Sequence, residues 1–407
     1  MDMTEHMVYA LDIGSSKVAL LAANLDENHQ ICVQEVAVVP NRGMSKGSVT
    51  DLEQCAMAVS EAARSLRTVP RPQEVILSVS GQHLQSMNVQ GMVQIVPSGR
   101  AITSADVLAV IKHSRQVDIA ADSEPIMVVP REFTVDGTSG IAKPIGLSAS
   151  RLEVVTHLVL GNVAHLMNLE KVVQLAGLEV QQMVAEPVAA GLGLLRPEEL
   201  EIGTAVINIG AQTTAVAIYS RGTIAYSAVI PVGSSSVTND LVSLLKMTPE
   251  DAEQLKRKHG RALAPSKPDE STVEVRQIGQ TQSRHMQRRV LFEIIESRMR
   301  EIAKFAAQHI EKSGHKGLLP GGTYVTGGGA LLPGTPQLFA QVMGDANVKL
   351  AAPRVEGPAS IKASGAEWST AVGMAAFALL EGDEEVVPAS GMGRWKERIR
   401  TFFQMKV

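Results

Sequence analysis

The sequence predicts an α/β protein of two duplicated halves that face one another across a cleft, with a small α+β unit inserted into the first half. Three observations point there. A β run, a polar residue, Ile-Gly, a small polar turn and a second β run occur at 8–21 and again at 205–218; the polar residues Asp12 and Asn208 stand 196 positions apart (208 − 12). Strand and helix patterns alternate through the first half, as in layered α/β domains. Between 84 and 162 that alternation gives way to strand-like pieces around one helix.

In chain order, the first strand pair is followed by apolar residues at helical spacing over 51–67, among them Leu52, Ala56, Val59, Ala63 and Leu66, and by a strand at 74–80. The inserted unit reads as strands at 91–96, 126–129 and 152–160 with a helix at 104–116. A helix at 163–176, a strand and a turn at 185–191 lead to the second strand–turn–strand. Beyond it lie a polar, partly basic stretch at 256–289, a long helix at 289–312, a strand entering a glycine turn at 323–330, and a small-residue apolar helix at 369–380. The expected division is 1–83 and 163–195, with 374–381, for the main subdomain of the first half, and 84–162 for the insertion. Residues 196–231 and 301–373 form the main subdomain of the second half and 232–300 its smaller one, followed by a linker at 382–393 and a terminal helix at 394–407.

Composition limits the function. A chain of 407 residues exceeds one compact core, and 45% hydrophobic residues with ordinary Gly and Pro usage is a globular composition. Aromatics are 3%, which leaves the core to Val, Leu, Ile, Ala and Met. A net charge of −4 argues against a nucleic-acid partner held by bulk electrostatics. Cys32 and Cys55 offer neither a disulfide framework nor metal-ligand spacing and read as reduced thiols. The first residues, with Asp2, Glu5 and His6, lack the basic region and apolar run of a signal peptide. No segment reaches the roughly 18 apolar residues of a spanning helix, so the body is expected in the cytoplasm.

A phosphate tail needs backbone N–H groups in a concave turn and a few hydroxyl or cationic side chains. Gly14-Ser15-Ser16-Lys17 and Gly210-Ala211-Gln212-Thr213-Thr214 each supply small residues that let a backbone approach closely. Either alone reads as a hairpin turn. Two in corresponding places, with a third glycine turn at Gly327-Gly328-Gly329, suit a nucleotide clamped between the halves, the third turn lying against the adenosine.

These motifs resemble those of the actin, hexokinase and chaperone-ATPase superfamily, and within it the FtsA proteins. Residues 12–17 look like the first phosphate motif, 186–190 like the connecting motif, 208–214 like the second phosphate motif and 324–332 like the adenosine motif. Segments 41–47, 129–137, 144–147, 258–263 and 369–373 are similar to FtsA segments, so the resemblance spans essentially the whole chain. It implies an actin-like fold, with the insertion as the family's extra subdomain, and it implies ATP and Mg²⁺ as cofactors. By that resemblance Asp12 holds the metal through water, Lys17, Ser15 and Ser16 meet phosphate oxygens, and Gly233 joins the nucleotide contacts. Glu253 and Lys256, one helical turn apart, would meet the ribose, although the same spacing also makes an ordinary exposed ion pair. Glu186 and Asn208 occupy the candidate catalytic positions.

Asn208 departs from the superfamily, which usually has Asp there. Its side chain has an acceptor oxygen but no charge, so it is neither a general base nor a strong attractor of metal-bound water. ATP is therefore expected to act as glue between the halves, with slow turnover or none.

The terminal segment places Trp395, Ile399, Phe402 and Phe403 on one helical stripe, amid five basic residues and one acidic, a net +4. Bulky aromatics ringed by Arg and Lys after a polar linker are the marks of a helix lying in a membrane interface. The resemblance adds the partners: the FtsZ C-terminal peptide, further copies of the chain in a filament, other divisome proteins, and the cytoplasmic face of the inner membrane. It places the FtsZ surface on the smaller second subdomain, where Arg298 and Arg300, expected exposed at the start of the long helix, could fork onto carboxylates. A pilus-assembly ATPase of the PilM type or a sugar or polyol kinase of the same superfamily is the alternative. Neither accounts for the tail.

Overall fold

A computed structural model describes residues 7–28, 30–265, 270–280 and 282–382. The first half begins with β1 (Val8–Ile13), β2 (Lys17–Leu25) and β3 (Ile31–Pro40), an antiparallel meander. A short hairpin of β4 (Met44–Ser45) and β5 (Ser48–Val49) leads to α1 (Leu52–Ser65), which starts where the Asp51 side chain accepts the Gln54 N–H. β6 (Glu74–Val79) then returns parallel to β1.

The insertion follows as β7 (Gln85–Gln94), α2 (Ser104–Ser114), β8 (Ser123–Val135), β9 (Thr138–Ile141) and β10 (Arg151–Asn162). They form an antiparallel sheet in the order β7-β10-β8-β9. α2 opens on a capping box between Thr103 and Asp106, and its Val107, Val110 and Ile111 pack with Val128, Phe133 and Leu158 in a core of their own. The expected strand at 91–96 sits further upstream, at 85–94: β7 is an edge strand with most side chains exposed, so its polar first half carries little hydrophobic signal.

The chain re-enters the first half with α3 (Val163–Leu175) and β11 (Glu179–Ala185), completing the order β11-β6-β1-β2-β3. The expected turn at 185–191 is a helix, α4 (Glu186–Leu192). Pro187 and Gly191 read as turn residues, but Pro is tolerated in a first helical turn. Gly191 is required because a Cβ there would lie 2.2 Å from the Tyr219 ring.

After α5 (Pro197–Ile202), the second half repeats the first. β12 (Thr204–Ile209), β13 (Thr214–Ser220) and β14 (Thr223–Ile230) form a meander; α6 (Ser235–Leu245) and α7 (Pro249–His259) follow. Much of the stretch expected to be merely polar, 256–289, is the end of α7 and a hairpin of β15 (Thr272–Val275) and β16 (Arg284–Gln287). Then come α8 (Arg288–Lys312), β17 (Gly322–Thr326), a 3-10 turn at Gly328–Leu331, α9 (Thr335–Met343), β18 (Val348–Leu350) and α10 (Ser360–Ala363). A last 3-10 turn, Ala366–Trp368, enters α11 (Ser369–Gly382). The sheet order β14-β13-β12-β17-β18 matches β3-β2-β1-β6-β11 strand for strand, a meander extended by two parallel strands. The linker expected at 382–393 begins on Gly382, which ends α11; the rest of it and the terminal helix expected at 394–407, with Trp395, Ile399, Phe402 and Phe403, lie outside the described residues.

Outside the turns, two of the contacts that join the halves stand out among the described residues. The insertion meets β14 through a polar seam: Ser86 Oγ donates to Ser227 O (2.5 Å), Asn88 Nδ2 to Ala225 O (3.0 Å), and His157 bridges Asn88 Oδ1 and Ser227 Oγ at 2.9 Å each. Burial, aided by Arg131, pushes the His157 pKa down to about 3, so the bridge is neutral. The second contact is apolar. α4 and α11 cross backbone to backbone: a Cβ on Gly373 would lie 1.7 Å from Ala189 O, and one on Gly193 2.2 Å from Ser369 O. In Gly373→Ala, helix propensity favours Ala by about 1 kcal/mol, whereas overpacking costs roughly 1–3 kcal/mol. The crossing is so close that the steric cost wins, and the variant is expected to melt below the wild type. An equal or higher melting temperature would contradict it.

Candidate functional site

Both phosphate-type turns close in the same way. Gly14 N donates to Lys17 O at 2.9 Å, and Gly210 N to Thr213 O at 2.9 Å. Around the first, which carries Ser15 and Ser16, Asn41 is a brace: its Nδ2 donates to Gly14 O (2.8 Å) and its N–H to Ser16 O (3.0 Å). The second is fixed to the start of α6, where Ser234 and Ser235 N–H groups donate to Gly210 O (2.9 Å) and Ala211 O (2.7 Å). These carbonyls satisfy donors that a helix start leaves open. A Cβ at Gly233 would come within 2.6 Å of Ala211 O, so this approach demands glycine. Thr214 Oγ1 donates to Val232 O (2.8 Å) and ties β13 to the same corner.

A short polar bridge ties the second turn to the first half. Gln212 Oε1 accepts from Ser45 Oγ (3.1 Å) and from Lys46 N (2.8 Å), so a side chain of the second turn clasps the β4–β5 hairpin of the first half. Deeper, Asp12 accepts from Ser78 Oγ at 2.5 Å, and burial raises its pKa, opposed by Ser78 and by the charge of Lys17. Glu186, 6% exposed at the first residue of α4, receives Ser80 Oγ from the first half and Asn208 Nδ2 from the second, the latter at 2.5 Å. Asn208 Nδ2 also donates to Thr370 Oγ1 (3.1 Å) at the start of α11. The uncharged Asn208 thus supplies a donor where an aspartate would set a second carboxylate against Glu186.

The third turn closes the group. Gly327 (φ +86°) lies where a Cβ would meet Asn208 Oδ1 at 2.2 Å; one on Gly329 would meet Ile209 at 2.5 Å and Ser234 at 3.0 Å. Gly328 between them is exposed, and a Cβ there would meet only Glu367 Cβ, at 4.0 Å. Lys256 is not part of an exposed ion pair. It is 5% exposed, and its Nζ contacts Glu253 Oε2 (2.6 Å), Thr238 Oγ1 (2.8 Å) and Ser234 O (3.2 Å). Burial lowers its pKa, opposed by Glu253. Asp12, Gly14–Lys17, Glu186, Asn208, Gly210–Thr214, Gly233 and Gly327–Gly329 therefore form one connected region, and Lys256 joins it through Ser234.

Arg298 and Arg300 stand apart, and here the expectation needs correcting. They lie mid-way along α8, not at its start. Arg298 already forks onto Asp240 of α6 (2.7 and 2.8 Å) and pairs with Glu301, while Arg300 pairs with Glu296 (2.7 Å). The Asp240 fork raises the Arg298 pKa further. The sequence showed the helix but not what crosses it from 58 residues away. Sequence reasoning also left Ser45, Ser80 and Thr370 out of the site. Glycine and hydroxyl turns have a local signature; single residues delivered from other elements do not.

Glu186 carries a pH signature. Burial, with Asp12 nearby, pushes its pKa up to about 7 from an ordinary 4.5, against the hydrogen bonds from Ser80 and Asn208. Because the folded value exceeds the unfolded one, the folded state holds a proton that the unfolded chain lacks between them. This contribution is complete below the unfolded value and lost as pH rises through the folded one. Across that window it amounts to about 3 kcal/mol. Glu186→Gln is expected to remove it, so the stability gap between variant and wild type shifts by that order in the variant's favour from pH 4 to pH 8. A gap constant across that range would show Glu186 to be ionised in the fold.

Comparison with known proteins agrees with this geometry. Residues 205–373 match the family described as cell division protein FtsA, and residues 81–160 the SHS2 domain inserted in FtsA. The chain is 31% identical to cell division protein FtsA of Escherichia coli (strain K12), covering 98% of this chain and 97% of the relative. It is 30% identical to the FtsA of Neisseria meningitidis serogroup B over 98% and 96%. Among solved structures, a PilM–PilN type IV pilus biogenesis complex aligns with a TM-score of 0.65 at 17% identity, over 91% of this chain and 98% of that one. MreB5 of Spiroplasma citri bound to ADP aligns at 0.55 and 14%, over 92% and 96%. These two likenesses show the actin-like fold, and the sequence relatives settle the branch: the chain belongs to the FtsA family of cell division proteins.

Proposed function

We propose that the region between the halves binds Mg-ATP and that the nucleotide acts as a clamp, not as a fuel. The observation that carries this reading is the paired turns, closed by the same hydrogen bond, with Asn208, two residues before the second, bonded to Glu186 and a third glycine turn against Asn208. Asp12, an oxygen donor suited to a hard cation, would hold Mg²⁺ through water, and the metal would neutralise phosphate charge. Lys17, Ser15, Ser16 and the turn amides would meet the phosphates, and Gly327–Gly329 the adenosine. Glu253 and Lys256 would reach the ribose from α7. Asn208 has no charge to draw a proton from water, and its amide is committed to Glu186 and Thr370. Glu186, with a pKa of about 7, is the available base, but both its oxygens are bonded.

Around this clamp we adopt the division expected from the sequence, with breaks at 83/84, 162/163, 195/196, 231/232, 300/301 and 373/374. Family membership supports a filament of further copies, contact with other divisome proteins, and a place on the cytoplasmic face of the inner membrane at the division site. Among the described residues no helix is long and apolar enough to cross a membrane; in this reading the segment 394–407 lies in the lipid interface by Trp395, Ile399, Phe402 and Phe403. The FtsZ C-terminal peptide would dock in the groove between α6 and α8, a cavity of about 550 Å³ whose lining includes Leu244, Ile294, Arg300 and Lys304. Arg298 shapes that groove through Asp240 and is not free to fork onto the peptide.

Purified protein should bind Mg-ATP and turn it over far more slowly than the roughly 10 s⁻¹ of an ordinary enzyme. Steady turnover at that rate would contradict the clamp. Loss of anionic-liposome sedimentation is expected for Trp395→Glu; unchanged sedimentation would move the anchor elsewhere.

A further inference from the structure

Three consecutive residues at the entry to α11 touch all three glycine-turn elements. Thr370 Oγ1 accepts from Asn208, two residues before the second turn; Ser369 Oγ lies 2.6 Å from Oγ1 of Thr326, just before the third; and the Trp368 ring lies beneath Lys17 of the first, with Nζ 5.4 Å from the ring centroid. Trp368 is 3% exposed and fixed in the apolar core shared by α4 and α11. Lys17 is partly exposed, and among the described residues no carboxylate lies within ion-pairing distance of its ammonium. An ammonium on a four-carbon stem is otherwise free to sweep through many rotamers. The indole face, negative at its centre, attracts it to one place.

We infer that Trp368 is a positioning residue that holds Lys17 ready for the nucleotide phosphates. The ring touches no phosphate itself. It removes conformational freedom from the cation in advance, and less ordering then remains for the moment of binding. Only ligands carrying phosphate benefit. The inference rests on the proposal that this region binds ATP, and the test separates the two.

Affinities for ATP, ADP and adenosine are measured on the full-length wild type, Trp368→Leu, Trp368→Phe, Lys17→Met and the double variant Trp368→Leu/Lys17→Met. Trp368→Leu is expected to weaken ATP and ADP by about threefold to fivefold, the range for a cation over an aromatic face, and to leave adenosine unchanged. Trp368→Phe, which keeps an aromatic face, should recover part of the loss. In the Lys17→Met background the Trp368→Leu change should have no further effect on ATP, a coupling that a merely structural role would not give. Equal weakening of adenosine, or additive losses in the double variant, would overturn the inference and leave the ATP site intact. A wild type that binds no ATP would overturn both. Should Trp368→Leu not fold, the wild-type ring gives a second readout in a Trp395→Phe background, where Trp368 is the remaining tryptophan. ATP should change its emission, adenosine should not, and Lys17→Met should abolish the change. Emission that responds to adenosine as to ATP, or not at all, would count against the inference.

Discussion

The carboxyl of Glu186 is where the two halves of the molecule are tied, and much of the site depends on its being satisfied. It sits at the first residue of α4, almost out of contact with water, and takes one donor from the first half and one from the second. A buried carboxyl without such partners would cost several kcal/mol. Ser80 and Asn208 therefore register the halves against each other, and Thr370 draws α11 into the same network. An aspartate at 208 would place a second carboxylate against the first. Asparagine trades general-base chemistry for a donor, which suits the proposed clamp.

The repeated sheet explains why such a tie is available. Each half runs a meander into two parallel strands, so each presents its first hairpin turn at the same end of its sheet. Bringing the copies together sets the turn at 210–214 against the β4–β5 hairpin that follows 14–17. The glycine-to-glycine approach of α4 and α11 then holds the copies close enough for Gln212 to reach Ser45 and Lys46. The insertion adds a second brace at β14, through the neutral His157.

Much of the fold was legible in the sequence because its signals are local. Two apolar runs around Ile-Gly and a small polar turn announce the hairpins at Asp12 and Asn208, and their spacing announces the duplication. The glycine turn at 327–329 was readable for the same reason. What escaped depends on distant partners. Pro187 and Gly191 look like turn residues, and their place near the two ends of one helix is visible only once Tyr219 is known to lie against Gly191. Lys256 looked like half of a surface pair until Ser234 and Thr238 closed over it. Arg298 looked available until α6 brought Asp240 across it. Sequence periodicity fixes an element's own face, but not which charged group arrives from another element.

In the proposed clamp one nucleotide is held by both halves at once. Amide hydrogen exchange with and without Mg-ATP tests it most directly, because protection reports local opening residue by residue. Mg-ATP is expected to slow exchange together at 14–17, 210–214 and 327–330, three segments carried on both halves of the chain. Protection confined to the turns of a single half would contradict it.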